Sequence, residues 1–95
     1  MEPSKPGAVE VFGFNTEVSY RNFTYHVQTE NMTDPPNPTI NTLVYLKGTL
    51  VKKVSSPYAD LLDAPDSAGA IQARVKRQHQ TVLSSIKRGE LSRPV

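Results

Sequence analysis

Two stretches of strict alternation, separated by only two residues, constrain this chain more than any other feature. In residues 14–20, Phe14, Thr16, Val18 and Tyr20 alternate with Asn15, Glu17 and Ser19. In residues 23–30, Phe23, Tyr25, Val27 and Thr29 fall on one side, and Thr24, His26, Gln28 and Glu30 on the other. A period of two puts alternate side chains on opposite faces of a strand, so each run reads as half-buried β-structure. Arg21-Asn22 between them is the length of a tight hairpin turn, and Asn tolerates the positive φ such a turn needs.

The rest of the chain is punctuated around that hairpin. Residues 31–38 hold three prolines and two asparagines and read as a loop. Residues 40–46, rich in β-branched and aromatic side chains, and residues 49–55, with Leu50, Val51 and Val54, read as strands joined at Lys47-Gly48. Both faces of this second pair contain apolar residues, so the pattern leaves open which face meets the core. Ser56-Pro57 ends the sheet. Residues 58–62 read as one helical turn or as an extended docking segment.

After a linker at residues 63–67 that supplies capping side chains, a helix is expected over about residues 68–88, stopped by Gly89. Its stripe is Ile71, Val75, Gln78, His79, Val82 and Ile86, with Leu83 at the margin. Arg74, Lys76, Arg77, Lys87 and Arg88 face away, and the last two suit the negative end of the helix dipole. The expected fold is α+β: a four-stranded antiparallel sheet of two hairpins with one C-terminal amphipathic helix. Residues 1–11 read as a flexible leader, 12–89 as a single domain and 90–95 as a frayed tail.

A domain of 95 residues buries only about 60–65% of the surface its unfolded chain exposes, so its core is thin. The chain has no cysteine, which removes disulfides and thiolate chemistry alike. Nucleotide-binding, nucleophile-elbow and zinc-protease motifs do not occur. The two histidines, His26 and His79, lie far apart in sequence and have no local metal-ligand spacing. His26 reads as a surface residue on a strand, and His79 as a helix residue that finds a hydrogen-bond partner on the sheet. The expectation is a protein that is not an enzyme, with no cofactor and no metal.

Charge is unevenly divided. Residues 1–46 carry two basic residues against five acidic ones, and residues 47–95 carry nine against four, within a net charge of +2. Such a dipolar molecule can orient encounters with charged partners. The basic helix face can follow a phosphate backbone, yet it lacks interleaved aromatics, and the same charges serve equally as a solvated face. No apolar run approaches the roughly 20 residues that span a bilayer, and no apolar signal core follows the first residues. The expected location is therefore the cytoplasm, with no membrane insertion.

Several short motifs look familiar together: Tyr25-His26-Val27-Gln28-Thr29-Glu30, Asn37-Pro38, Thr42-Leu43-Val44-Tyr45, Gly48, Tyr58, Gln78-His79 and Gly89. In these the chain resembles a group of small bacterial proteins common in myxobacteria and their relatives, over about residues 14–89. The resemblance implies an adaptor in motility or polarity control that links a response regulator to a Ras-like GTPase. It assigns no contact residue. The chain departs from the group at residues 32–36, where a shorter, glycine-containing turn is expected, and this puts partner specificity near that loop in doubt.

The leading expectation is thus a protein-protein interaction module presenting a sheet edge and a helix. Its expected contact residues are His26, Gln28 and Glu30 on the sheet and Arg74, Arg77 and Arg88 on the helix. Nucleic-acid binding through the basic helix face is the alternative, and pairing of two copies through their sheet edges is a third reading.

Overall fold

The two-residue turn at Arg21-Asn22 does close a hairpin, with Tyr20 opposite Phe23 and Phe14 opposite Thr29. The computed structural model describes residues 13–32 and 38–92. The expected leader at residues 1–11 lies outside these. Strand β1 is Phe14–Tyr20 and β2 is Phe23–Met32. The positive φ of the turn falls on Arg21, at 56°, rather than on the asparagine. Its guanidinium lies 5.3 Å from the centre of the Tyr20 ring, a cation–π contact that favours this geometry.

Strand β2 runs two residues past its alternating segment. Asn31 and Met32, expected in the loop, pair with Ile40 and Thr39 instead. The Asn31 amide also donates to the Tyr58 hydroxyl at 3.4 Å, which ties the strand end to the segment beyond β4. Strand β3, Thr39–Leu46, and β4, Thr49–Pro57, form the second hairpin. Lys47 (φ 53°) and Gly48 (φ 80°) both adopt the left-handed conformation of a two-residue hairpin turn. The strands lie in the order β1-β2-β3-β4, every pair antiparallel.

Register with β2 buries the Ile40, Thr42 and Val44 face of β3, and a β-bulge decides which residues of β4 share it. Tyr45 pairs with Leu50 but Val44 pairs with Lys52, so Val51 is an extra residue on β4. Without it, the alternation from the turn would aim Lys53 at the core and Val54 away. With it, Val54 packs against the core and Leu50 and Val51 remain 47% exposed.

Tyr58 is buried, and the turn Ala59–Leu61 that follows it is a single 3-10 turn, one of the two conformations expected. Helix α1, Ser67–Lys87, starts at Asp66, whose carboxylate accepts from the Gly69 backbone N–H at 3.1 Å. Its buried residues are Ile71, Val75, His79, Val82 and Ile86, the stripe that the periodicity marks except for Gln78, which is half-buried at its edge. The helix packs over β1, β2 and β3. Gly89 ends it at φ +78°, with its Cα so close to Tyr20 that an added Cβ would lie 2.7 Å from the ring carbon Cζ. That reversal brings Leu91, expected to fray, back against the core in a second 3-10 turn, Glu90–Ser92. Residues 93–95 lie outside the described ones.

The core is two apolar clusters rather than one. Val18, Tyr25, Val27 and Val44 meet Val82 and Ile86 under the C-terminal half of α1. Ile40 and Tyr58 meet Ile71 and Val75 under its N-terminal half. Among the described residues the buried polar ones are Thr29, Thr42 and His79, and His79 stands on α1 between the parts of the helix that serve the two clusters. No helix among the described residues is long and apolar enough to cross a membrane.

Candidate binding groove and the polar seam beneath it

The seam is built by strand register. Phe14, Thr29, Thr42 and Val54 stand opposite one another across β1, β2, β3 and β4, forming one row on the helix side. Above it, the two protons of Gln78 Nε2 are shared among Thr42 Oγ1 (3.0 Å) and the carbonyls of Ile40 (3.1 Å) and Val54 (3.3 Å). Thr42 and Thr29 hydroxyls lie 2.7 Å apart, and Thr29 Oγ1 lies 2.8 Å from His79 Nδ1. Thr16 Oγ1 lies 2.8 Å from His79 Nε2, and the Phe14 ring stacks on the imidazole at 5.4 Å.

Donor and acceptor inventory orients this chain of bonds. The Gln78 amide nitrogen only donates, so the buried Thr42 hydroxyl must direct its proton to Thr29. Thr29 then donates to Nδ1, and the imidazole carries its proton on Nε2, pointing at Thr16. A protonated imidazole would force Nδ1 to donate to Thr29 and leave one of the two threonine protons without an acceptor. Burial pushes the His79 pKa below the usual histidine value, in the same direction. Among the described residues, no buried side-chain nitrogen or oxygen lacks a hydrogen-bond partner. The seam therefore fastens the helix to β1, β2, β3 and β4 with its polar groups mutually engaged.

Beside the seam lies an open groove of about 470 Å³ between α1 and β4. Because the helix crosses β1 to β3, the helix-side residues of β4 form one wall: Lys52, Val54 and Ser56. Arg77, Thr81, Val82, Ser85 and Arg88 are on the facing wall. Contacts along the groove set its polarity. Arg74 reaches the Pro57 carbonyl at 3.4 Å at one end, and Gln78 reaches Val54 near the middle. Helical rise then carries Arg88 toward the Lys52 end.

The six residues expected to bind a partner divide into two sets on opposite sides of the sheet. His26, Gln28 and Glu30 share the face away from the helix, where His26 and Gln28 are half-buried and pair with Tyr45 and Leu43. Arg77 and Arg88 line the groove with Arg74, but Arg74 does not face away from the fold as the helical wheel suggests. Its guanidinium holds the Asp60 carboxylate at 3.2 and 3.4 Å, which latches α1 to the 3-10 turn after β4. Arg88 is 2.9 Å from the Glu90 carboxylate. Lys52, Val54, Ser56, Thr81 and Ser85 were not expected to line a site. Helical spacing could have grouped Thr81 and Ser85 with Arg77 and Arg88, whereas Lys52 joins them only through the bulge.

Among the described residues, no three His, Cys, Asp or Glu side chains come together as metal ligands would. Comparison of the chain with protein-family models, with curated proteins and with solved structures gave no match in any of the three.

Proposed function

We propose that this protein is a non-enzymatic interaction module of the bacterial cytoplasm that works by binding another protein. The observation carrying this reading is the placement of α1. Among the described residues it leaves the helix-side wall of β4 open beyond Val54, on a strand at the edge of the sheet with one paired side. An uncovered edge strand with a groove beside it is the form in which sheet proteins accept a partner segment. The polar groups of the seam support the same reading, because His79 and the threonines are already engaged with one another.

The resemblance to small myxobacterial proteins gives the partner its class: a Ras-like GTPase, a response regulator, or both. Nucleic-acid binding is the weaker reading, since Arg74 and Arg88 each hold a carboxylate of this chain rather than standing free for phosphate. The test immobilises the full chain and measures binding of a Ras-like GTPase, loaded with GDP or with a non-hydrolysable GTP analogue, and of a response regulator. Saturable binding of either is the expected result. A chain that binds neither, and that elutes alone from a native lysate by size exclusion, overturns the proposal.

A further inference from the structure

We infer that the α1/β4 groove accepts an acidic, extended segment of a partner protein, added to the sheet beside β4 as a fifth strand. This rests on the reading of the protein as an interaction module and specifies the surface and the chemistry of what it binds.

Three features of β4 define the occupant. Its outer edge has no strand neighbour among the described residues, and its regular pairing with β3 extends from Lys52 to Pro57 once the bulge at Val51 is passed. Proline has no N–H to offer, so the usable stretch is residues 52–56, about 17 Å at strand rise. Along it, Lys52, Val54 and Ser56 face the groove at the strand period of two.

The groove walls then dictate alternate residues of the added strand. Directly opposite side chains across an antiparallel pair stand about 4.5–5.5 Å apart at Cβ. An acidic residue beside Lys52 meets an exposed lysine that no carboxylate among the described residues holds. A residue beside Val54 meets Val82, and is apolar. One beside Ser56 meets the Arg77 end, and is acidic. The occupant is thus a strand with acidic, apolar and acidic side chains at alternate positions.

Charge also selects against the competing occupant. The groove lining contains Lys52, Arg74, Arg77 and Arg88; Arg74 and Arg88 already hold Asp60 and Glu90, so among the described residues Lys52 and Arg77 are the lining cations whose charge no carboxylate of this chain meets. Two copies paired edge to edge would bring two such linings together, and Lys52 and Lys53 are the kind of edge residue that discourages self-pairing. The same lysines attract an acidic strand.

The experiment titrates the isotope-labelled full chain with three synthetic peptides. One has glutamates at alternate positions flanking a valine, the second has lysines in place of the glutamates, and the third has the first peptide's composition in blocked order. The alternating glutamate peptide is expected to bind saturably, with amide shifts concentrated in residues 52–56 and in the helix between Arg77 and Arg88. Lys52→Glu and Arg77→Glu, both exposed positions, should each weaken it by about tenfold or more, while His26→Ala on the other face leaves it unchanged.

Equal binding of the blocked-order or lysine peptide overturns the inference. So do shifts centred on His26, Gln28 and Leu43, a salt-dependent single-stranded DNA complex that displaces the peptide, or a homodimer through β4 in sedimentation. If no peptide binds but the GTPase or response regulator does, the groove inference fails and the interaction module stands. If none of them binds, both fail.

Discussion

Replacing Thr29 by valine changes the shape of the core very little and removes one oxygen from the seam. That oxygen is bonded on two sides, to Thr42 at 2.7 Å and to His79 Nδ1 at 2.8 Å, and Thr29 itself is 1% exposed. The variant therefore strands two buried groups: the Thr42 proton and the imidazole nitrogen. Leaving one buried polar group without a partner costs about 1–3 kcal/mol. Burial of the added methyl offsets under about 1 kcal/mol of this, so Thr29→Val should lose about 2–4 kcal/mol. A domain of this length has a total stability of about 5–14 kcal/mol, and the loss should lower Tm by roughly 10–25 °C.

The direction of the proton chain adds a sharper expectation. Thr42→Val leaves Gln78 with the Ile40 and Val54 carbonyls, and leaves Thr29 still donating to His79. It should therefore cost about 1 kcal/mol, clearly less than Thr29→Val. Urea denaturation followed by far-ultraviolet circular dichroism suits a chain without tryptophan. The double variant should lose less than the sum of the singles, because Thr42 has no proton left to strand. A Thr29→Val protein within about 0.5 kcal/mol of the parent, or a Thr42→Val protein that is the less stable of the two, refutes the reasoning.

Three further expectations follow from single residues. The folded protein holds His79 neutral, with its pKa below the unfolded value of 6.5, so the unfolded chain binds the extra proton as the pH drops. Stability linked to His79 is complete above about pH 6.5 and declines toward the lower folded-state pKa, by at most about 1.4 kcal/mol per pH unit. The difference between the parent and His79→Gln, from denaturation at several pH values, should shrink on acidification, and a constant difference contradicts the assignment. Gly89→Ala should destabilise by more than about 1 kcal/mol, since it adds a left-handed strain to a collision with Tyr20, and a neutral result in thermal melts would contradict that. Lys47→Asn creates Asn-Gly at a turn with φ of 53° and 80°, and should raise stability by about 0.5–1 kcal/mol; an unchanged Tm would count against the turn geometry.

How much of the site the sequence foreshadows varies from residue to residue. Arg77 and Arg88 are readable as outward helix residues because helical spacing is local, and their exposure agrees with it. Arg74 has the same spacing, yet its role comes from Asp60, which lies 14 residues away in the 3-10 turn before the helix and becomes adjacent only when the chain folds back after β4. His79 is readable as a packing histidine with a partner on the sheet. Its two partners, Thr16 and Thr29, lie 63 and 50 residues away and are chosen by strand register.

Features that depend on neighbours along the chain are legible before any tertiary contact is known. Alternation in β1 and β2, a two-residue gap, a helical stripe with a glycine stop and the lack of cysteine together specify a four-stranded antiparallel α+β domain. The tertiary structure alone decided which face of the second hairpin is buried. One inserted residue, Val51, reverses the inward and outward positions of everything beyond it on β4, and the alternation itself does not show which residue will be the extra one. The same insertion turns Lys52 toward the helix and sets Val54 in the core. The groove between them and α1 exists only because the helix lies across the other three strands.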